Sequence, residues 1–335
     1  MSFTLRHGQV PLLVSMPHLG TLIPAELQSS YVPRALATED TDWHLDRLYD
    51  FVTELGASVL MPQVSRYVID LNRPPDDAPM YPGASNTELC PTRFFIGDPL
   101  YQPGAEPDAA ERLRRREVYW QPYHQALATE LQRLQALHGH VLLWDAHSIR
   151  SQIPWLFEGR LPDLNLGTAG GSSADGRIAT ALMQVCAGQQ AVSHVLNGRF
   201  KGGYITRRYG APAQGVHAVQ LEMCQSLYMQ EHSPYAFDAA RAAAIRPLLR
   251  TLIETALHSC ATLYDGAFFC PAGLARRCLG PGCAAVSGWG WLLVQRAAGC
   301  VRRPSARSDA SRRACAARPC QRPQPRLPAR HRRPH

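Results

Sequence analysis

Two short apolar runs, Val10–Met16 (VPLLVSM) and His140–Trp144 (HVLLW), decide the fold class. The first run is followed by His18, and the second is followed by Asp145 and His147. Apolar runs of this length that end in polar residues are typical of buried strands. We therefore expect two parallel strands, each of which presents a histidine just beyond its end.

Predicted strands and helices alternate along the chain around these two runs. Further strands are predicted at Ala57–Leu60, Tyr67–Leu71 and Val216–Met223. Helices are predicted at Asp42–Leu55, Pro107–Leu137, Ser172–Cys186 and Pro234–Tyr264, with breaks at Pro122 and Pro247. The alternation predicts an α/β fold with a mixed, mainly parallel sheet flanked by helices. In such sheets, ligand sites gather at the carboxyl ends of the strands.

The charge of the chain divides unevenly near residue 265. The whole chain has a formal net charge of +8, but residues 266–335 hold 14 Arg, one Asp, no Lys and no Glu, which leaves −5 for residues 1–265. Six of the ten Cys also lie after residue 265, and the other four are widely spaced. We expect residues 1–265 to form one domain of a cytoplasmic protein. Neither a membrane span nor a secretory signal is predicted.

Residues 266–335 form a segment rich in Arg, Pro, Ala and Cys that lacks the periodicity of helices and strands. The chain has 34 Arg and one Lys, as GC-rich coding produces. We predict that this segment is either an out-of-frame translation or a disordered extension. The alternative is an Arg-rich arm that binds nucleic acid, which the acidic charge of residues 1–265 disfavours.

The histidines at the two strand ends predict a metal site. His18 and His147 would supply imidazole ligands, and a third ligand, commonly a carboxylate, would leave one position open for water. Asp42 is the preferred carboxylate, although Asp40 and Asp46 are close alternatives. In the simpler alternatives, Asp42 is only a helix N-cap and His18 only bonds a backbone carbonyl.

The segment His217–Met223 predicts a polar face on an otherwise apolar strand. Gln220 and Glu222 share that face, because alternate residues of a strand point the same way. A buried glutamate is costly unless it is paired or used in chemistry. Glu222 is therefore a candidate general base beside metal-activated water, and a structural ion pair with an arginine is the alternative. Asp145 shares a strand face with His147 and could orient it.

Several arginines are candidates to bind a substrate carboxylate, since the guanidinium group pairs with carboxylates through two hydrogen bonds. They are Arg73, Arg150, Arg207 and Arg208. Arg207 follows two glycines, which let the backbone approach a ligand closely. Each arginine alone could be an ordinary surface ion pair. Together they indicate a small anionic substrate.

Taken together, nine segments resemble the N-formylglutamate amidohydrolases, also called N-formylglutamate deformylases. They run in the order of that family from about residue 10 to residue 265. The most informative are Ser15-Met16-Pro17-His18-Leu19-Gly20-Thr21, Asp40-Thr41-Asp42-Trp43-His44, Asp70-Leu71-Asn72-Arg73, Trp120-Gln121-Pro122-Tyr123-His124, Leu143-Trp144-Asp145-Ala146-His147-Ser148-Ile149, Lys201-Gly202-Gly203-Tyr204-Ile205-Thr206-Arg207 and Val216-His217-Ala218-Val219-Gln220-Leu221-Glu222-Met223. Arg208 departs from the family pattern, which has a histidine there, and residues 266–335 match nothing in it.

The resemblance implies hydrolysis of N-formyl-L-glutamate to formate and L-glutamate in histidine degradation. It also implies a metal-dependent fold similar to the zinc carboxypeptidases, with zinc, or alternatively cobalt, as the cofactor. The resulting hypothesis assigns the metal to His18, Asp42 and His147, the general base to Glu222, substrate contacts to Arg73, Arg150, Arg207 and Gln220, and support of the metal ligands to Asp145. Another N-acyl amino-acid deacylase or a carboxypeptidase-like metal hydrolase is the alternative.

Overall fold

The residues that the structure describes fold around one mixed sheet of seven strands. The structure, a computed structural model, describes residues 2–80 and 87–264. The strands are β1 (Phe3–Arg6), β2 (Leu12–Ser15), β3 (Ser58–Pro62), β4 (Val141–Ile149), β5 (Leu164–Gly167), β6 (His194–Leu196) and β7 (Val216–Cys224). Their spatial order is β1-β3-β2-β4-β7-β5-β6. The prediction for residues 266–335 lies outside the described residues.

Four neighbouring strands, β3, β2, β4 and β7, run parallel to one another in the middle of the sheet. β1 pairs antiparallel with β3, and β5 pairs antiparallel with β7. The predicted mixed, mainly parallel α/β sheet is therefore confirmed. β1, β5 and β6 were not predicted, because they are only three or four residues long and give little periodic signal.

Helices cover both faces of the sheet. They are α1 (Ala25–Gln28), α2 (Leu45–Leu48), α3 (Ala109–Arg115), α4 (Gln121–His138), α5 (Gly176–Ala187), α6 (Tyr204–Tyr209) and α7 (Ala239–Thr262). One core packs α2, α5 and α7 against the sheet face that carries Val14 and Trp144. A second core packs α4 and α6 against the face that carries Leu13 and Leu143. Among the described residues, none of the helices combines the length and apolar character that crossing a bilayer requires.

The central strands are longer than the apolar runs suggested. β4 continues to Ile149, so Asp145 and His147 lie within the strand and not in a loop after it. The strand extends this far because its parallel pairing with β7 continues to the pair Ile149 and Cys224. Asp145 and His147 are two residues apart within β4, so they lie on the same face of the strand, as predicted.

The predicted strand Tyr67–Leu71 is wrong. This stretch forms turns, in which the Val68 amide donates a hydrogen bond to the Ser65 carbonyl. Its apolar side chains are nevertheless buried in the core that contains α4. The apolar pattern identified burial correctly, but it could not distinguish an extended strand from a buried irregular segment.

Three helix predictions also differ from the structure. The predicted helix Asp42–Leu55 reduces to α2 and a 3₁₀ turn at Asp50–Val52. The predicted break at Pro247 is absent, because α7 passes through this exposed residue without interruption. The break near Pro122 takes the form of a π-helical turn at residues 116–120, after which α4 begins.

Candidate metal centre and active site

Three separate segments bring the candidate metal ligands together. His18 lies in the turn that follows β2, His147 lies near the end of β4, and Asp42 precedes α2. The Asp42 amide donates a hydrogen bond to the His18 carbonyl at 3.1 Å, which joins two of these segments. His44, in a left-handed conformation with φ of 61°, occupies the N-cap position of α2. Asp42 is therefore not the helix cap, and the Ser148 amide donates to its carboxylate at 3.2 Å.

The ligand atoms of these residues form a small triangle. His18 Nδ1 and His147 Nδ1 are 3.2 Å apart, and Asp42 Oδ2 lies 3.3 Å from His147 Nδ1 and 3.6 Å from His18 Nδ1. Two ligands of a tetrahedral zinc ion, each bound at about 2.0–2.1 Å, are separated by roughly 3.3 Å. All three side chains are buried, and together they form a group that could hold a metal ion.

The outer nitrogen of each histidine faces a second carboxylate. His18 Nε2 donates to Asp70 Oδ1 at 2.7 Å, and His147 Nε2 lies 3.2 Å from Asp145 Oδ1. A carboxylate behind a histidine fixes the ring and leaves the other nitrogen as the ligand. Nδ1 is therefore the nitrogen that each histidine presents to the triangle. Asp145 has the supporting position predicted for it, whereas Asp70 was not predicted.

The charges around the triangle favour a cation. Burial disfavours the charged form of His147, but Asp145 and Asp42 outweigh it and hold the pKa of His147 well above its usual range. The pKa of Asp70 is held well below its usual range, since His18 and Arg66 together outweigh burial. Buried carboxylates with these partners stabilise positive charge, whether it comes from protons or from a metal ion.

Glu222 lies in the same cavity as the two histidines. It stands opposite His147 in the β4–β7 register, and burial raises the pKa of its carboxyl to about 8. Within residues 2–80 and 87–264, no hydrogen bond or ion pair involves this carboxylate. The alternative of a structural ion pair with an arginine therefore finds no support there. A buried, unpaired carboxyl that titrates near neutrality is suited to proton transfer.

The site and the fold together match one protein family. A sequence profile of N-formylglutamate amidohydrolase matches residues 10–229. An N-formylglutamate deformylase of Pseudomonas aeruginosa is 55% identical over 252 residues, which are 75% of this chain and 94% of that protein. The chain belongs to the N-formylglutamate amidohydrolase family. A second N-formylglutamate deformylase, from Pseudomonas putida, is 51% identical over 250 residues, which are 75% of this chain and 93% of that protein.

Two crystal structures share the fold. The N-formylglutamate amidohydrolase of Ralstonia eutropha aligns with a TM-score of 0.65 and 24% identity, over 79% of this chain and 99% of that one. A gene product of Agrobacterium tumefaciens aligns with a TM-score of 0.59 and 22% identity, over 77% of this chain and 95% of that one. Identities this low support the fold alone. Membership of the family rests on the closer sequence relatives, and it makes the chain an amide hydrolase.

The two alternative carboxylates for the metal lie elsewhere. Asp40 accepts hydrogen bonds from the Tyr67 hydroxyl at 2.8 Å and from Arg150 Nη2 at 2.6 Å. Asp46 is exposed on α2. The structure therefore groups only Asp42, among these three, with the histidines.

The predicted arginines are not all at the cavity. Arg73 lines it, and its Nη2 donates to Thr87 Oγ1 at 2.8 Å. Arg150 is outside the cavity lining and pairs with Asp40. Arg207 and Arg208 are exposed, and Arg207 Nε donates to the Gly202 carbonyl at 2.8 Å. The structure thus brings one of the four predicted arginines into the cavity.

Gln220 lies in the cavity beside Glu222. Its Oε1 accepts a hydrogen bond from the Gly203 amide at 2.7 Å. This bond orients the side-chain amide, so that the NH₂ group is the part of Gln220 able to donate to a substrate.

Asn72 contacts His147 and also Asp70, the carboxylate that bonds His18. It was not predicted as a site residue. Its amide donates to Asp70 Oδ1 at 2.9 Å, and its Nδ2 lies 3.0 Å from His147 Nε2. Its Oδ1 accepts from the Ile205 amide at 2.8 Å, which attaches α6 to the site. The segment Asp70-Leu71-Asn72-Arg73 was quoted for the family resemblance, and this was the available signal.

Arg66 was also missed. It is almost fully buried, its Nη2 donates to Asp70 Oδ2 at 2.8 Å, and its Nη1 donates to His18 Nδ1 at 3.2 Å. In this contact Nδ1 of His18 is assigned as the acceptor, because a guanidinium N–H can only donate. Arg66 follows β3 in an irregular segment, so no periodic pattern marked its side chain as inward-facing.

Proposed function

We propose that this chain hydrolyses the formamide bond of N-formyl-L-glutamate and releases formate and L-glutamate. The observation that carries the proposal is the buried triangle of His18, Asp42 and His147 with Glu222 in the same cavity. The 55% identical relative from Pseudomonas aeruginosa bears the name of this activity.

A divalent metal ion, zinc or alternatively cobalt, would be held by His18, Asp42 and His147. The fit is supported by two nitrogen ligands, one carboxylate oxygen and a second carboxylate behind each histidine. When bound, the ion supplies Lewis-acid polarisation of the formyl oxygen and lowers the pKa of water. A cation at this position would replace the contact between Arg66 and His18 Nδ1.

Glu222 moves the proton in this reaction. Its carboxylate accepts a proton from the attacking water while the water oxygen bonds to the formyl carbon. The same group then donates the proton to the amide nitrogen as the carbon–nitrogen bond breaks, which yields formate and the free amine. A carboxyl whose burial raises its pKa to about 8 can hold the proton between these two steps.

Substrate binding is assigned to the polar groups that line the cavity. Arg73 would pair with a carboxylate, and the NH₂ group of Gln220 would donate to a substrate oxygen. Arg150 and Arg207 are outside the lining, and we assign no substrate contact to them.

The finer parts of the proposal come from the family resemblance. We propose that the reaction serves histidine degradation in the cytoplasm and that the fold is related to the zinc carboxypeptidases. Nucleic-acid binding through residues 266–335 is not part of the proposal.

Formate release tests the substrate assignment. The full chain is supplied with zinc and assayed on N-formyl-L-glutamate, N-acetyl-L-glutamate and an N-terminally blocked dipeptide ending in glutamate. We expect the formyl substrate to have the highest kcat/KM, by ~10²-fold or more. Faster hydrolysis of the acetyl substrate would instead identify a deacylase, and faster hydrolysis of the dipeptide would identify a carboxypeptidase-like enzyme.

A further inference from the structure

Among the described residues, three arginines line the cavity that contains His18, His147 and Glu222. They are Arg66, Arg73 and Arg199. Arg66 belongs to the metal centre, since its guanidinium contacts His18 and Asp70. Arg73 and Arg199 are the other two arginines of the described lining.

Arg73 is fixed close to the metal centre. Its amide donates to the Asp70 carbonyl at 3.2 Å, and Trp120 Nε1 donates to its carbonyl at 3.0 Å. Its guanidinium Nε lies 3.9 Å from Asp70 Oδ2, and Asp70 in turn bonds His18. A substrate group that contacts Arg73 must therefore lie near the reacting atoms.

Arg199 lies beside an apolar part of the lining. It lies in the loop between β6 and α6, with its guanidinium 5.5 Å from the centre of the Phe200 ring. Its Nη2 lies 3.5 Å from the Leu156 carbonyl. Phe200 and Leu156 also line the cavity, and together with Ile149 they provide an apolar surface beside this positive charge. A short aliphatic chain that ends in a carboxylate complements such a wall.

We propose that Arg199 binds the side-chain carboxylate of the substrate and that Arg73 binds its α-carboxylate. The inference rests on the proposed function. The α-carboxylate is attached to the carbon that bears the scissile nitrogen, so it must stay near the metal centre, where Arg73 is fixed. The side-chain carboxylate is two methylene groups farther away, and the apolar wall beside Arg199 can contact those methylenes.

This division predicts how the enzyme selects a dicarboxylic substrate. A site built around two charged donors rejects an analogue that lacks one carboxylate, because one half-buried guanidinium then loses the charged group of the substrate that it would bind. Removing one arginine should therefore abolish selectivity for one carboxylate and leave selectivity for the other. A residue with only a structural role would not produce this separation.

The experiment compares Arg199→Gln and Arg73→Gln with the parent chain on three substrates, all loaded with zinc. The substrates are N-formyl-L-glutamate, N-formyl-L-glutamine and the α-amide of N-formyl-L-glutamate. We expect the parent to prefer the dicarboxylate over each amide by ~10²-fold or more in kcat/KM. Arg199→Gln should lose the preference over N-formyl-L-glutamine only, and Arg73→Gln should lose the preference over the α-amide only. Zinc content should stay at the parent level.

Two further variants serve as controls. Arg177→Gln changes an exposed arginine on α5 and should keep all three kcat/KM values. Arg199→Lys keeps the charge but loses the planar fork, so it should retain the preference for the dicarboxylate at a higher KM. If Arg199→Gln does not fold, Arg199→Met, which keeps an unbranched side chain without the charge, supplies the measurement.

The assignment is overturned if removing the charge of Arg199 leaves the parent ratio between the glutamate and glutamine substrates unchanged, or if the effects of the two arginines are exchanged. In either case an active parent leaves the proposed function intact. A parent that releases no formate from N-formyl-L-glutamate would contradict the proposed function and this assignment together.

Discussion

Glu222 stands directly opposite His147 across the parallel strands β4 and β7, and Gln220 stands opposite Asp145 in the same register. Alternate residues of a strand share a face, so these four side chains form one polar patch on the sheet. Every residue of both strands is buried. The candidate base and a candidate metal ligand are therefore held by adjacent strands in the middle of the sheet, where the backbone has little freedom to move them apart.

Replacing either histidine should remove the metal. We expect His18→Ala and His147→Ala each to lose bound zinc and most formate release, because two ligands from this triangle cannot hold the ion tightly. Metal content by elemental analysis and formate release check the prediction. His232→Ala, which changes an exposed histidine, should keep both. If either ligand variant binds as much metal as the parent, that histidine is not a metal ligand.

The carboxylate ligand can be tested in the same way. Asp42→Asn keeps the size and one oxygen, so we expect weaker metal binding and not complete loss. Asp46→Asn is the matched control, since Asp46 is exposed on α2. If Asp46→Asn loses metal while Asp42→Asn does not, the assignment of Asp42 is wrong.

Glu222→Gln should separate chemistry from folding. The carboxylate makes no hydrogen bond or ion pair to the residues that the structure describes, so the fold and the metal should survive the change. Loss of the proton carrier should lower kcat by ~10²–10⁴ and leave KM almost unchanged. Steady-state kinetics, zinc content and Tm check these expectations. A fall in kcat of less than about tenfold would exclude Glu222 as the base, and loss of zinc would make it a ligand.

His147, Gln220 and Glu222 could be predicted because they lie on regular strands, and His18 because it follows one closely. The apolar run before His147 identified β4, and the alternation in β7 put Gln220 and Glu222 on one face. Both inferences need only the two-residue period of a strand. The family resemblance then supplied roles that periodicity cannot give.

The remaining site residues could not be found in this way. Arg66, Asp70 and Asn72 lie in an irregular segment that follows β3, and Arg199 lies in the loop after β6. The apolar pattern of Tyr67–Leu71 indicated burial, but this stretch is not extended, so the two-residue period of a strand does not show which way Asp70 faces. Arg66, Asn72 and Arg199 lie in stretches without any period, where inward-facing side chains look like ordinary surface polar residues. The contact of Asp70 with His18 joins residues 52 positions apart, and only the tertiary fold shows it.

Asn72 should act as a positioning residue for Asp70 and His147, and Gly203 leaves the space that its side chain occupies. A Cβ atom at Gly203 would lie 2.3 Å from Asn72 Nδ2, so Gly203→Ala must displace this side chain. Since Asn72 contacts both Asp70 and His147, we expect zinc affinity to fall by ~10–100-fold, as for other supporting groups of metal ligands. Gly176→Ala, where a Cβ meets open space, is the matched control. Equal zinc affinity in both variants would contradict the role.

Protonation of His124 should destabilise the fold in acid. Its Nε2 donates to the Leu71 carbonyl, and burial lowers the pKa of His124 to about 3. The pKa of His124 in the folded state lies below its value of about 6.5 in the unfolded state. The neutral, buried His124 therefore contributes its full share to the stability of the fold above pH 6.5, and this share is lost as the pH falls towards 3. As the pH falls below 6.5, the free energy of unfolding should decrease more steeply in the parent than in His124→Gln. The difference between the two slopes should be at most about 1.4 kcal/mol per pH unit. Urea unfolding of metal-free protein between pH 7 and pH 4 checks this, and equal slopes would contradict it.

The dependence of formate release on zinc tests the His18–Asp42–His147 site most directly. The full chain is stripped with a chelator, zinc is added stepwise, and bound zinc and formate release from N-formyl-L-glutamate are measured together. Because the six cysteines of residues 266–335 can also bind zinc, occupancy of the site is taken as the difference between the parent and His147→Ala. We expect no activity without metal, and activity that rises in proportion to this difference. Full formate release by the chelated, zinc-free chain would contradict a metal-dependent hydrolase.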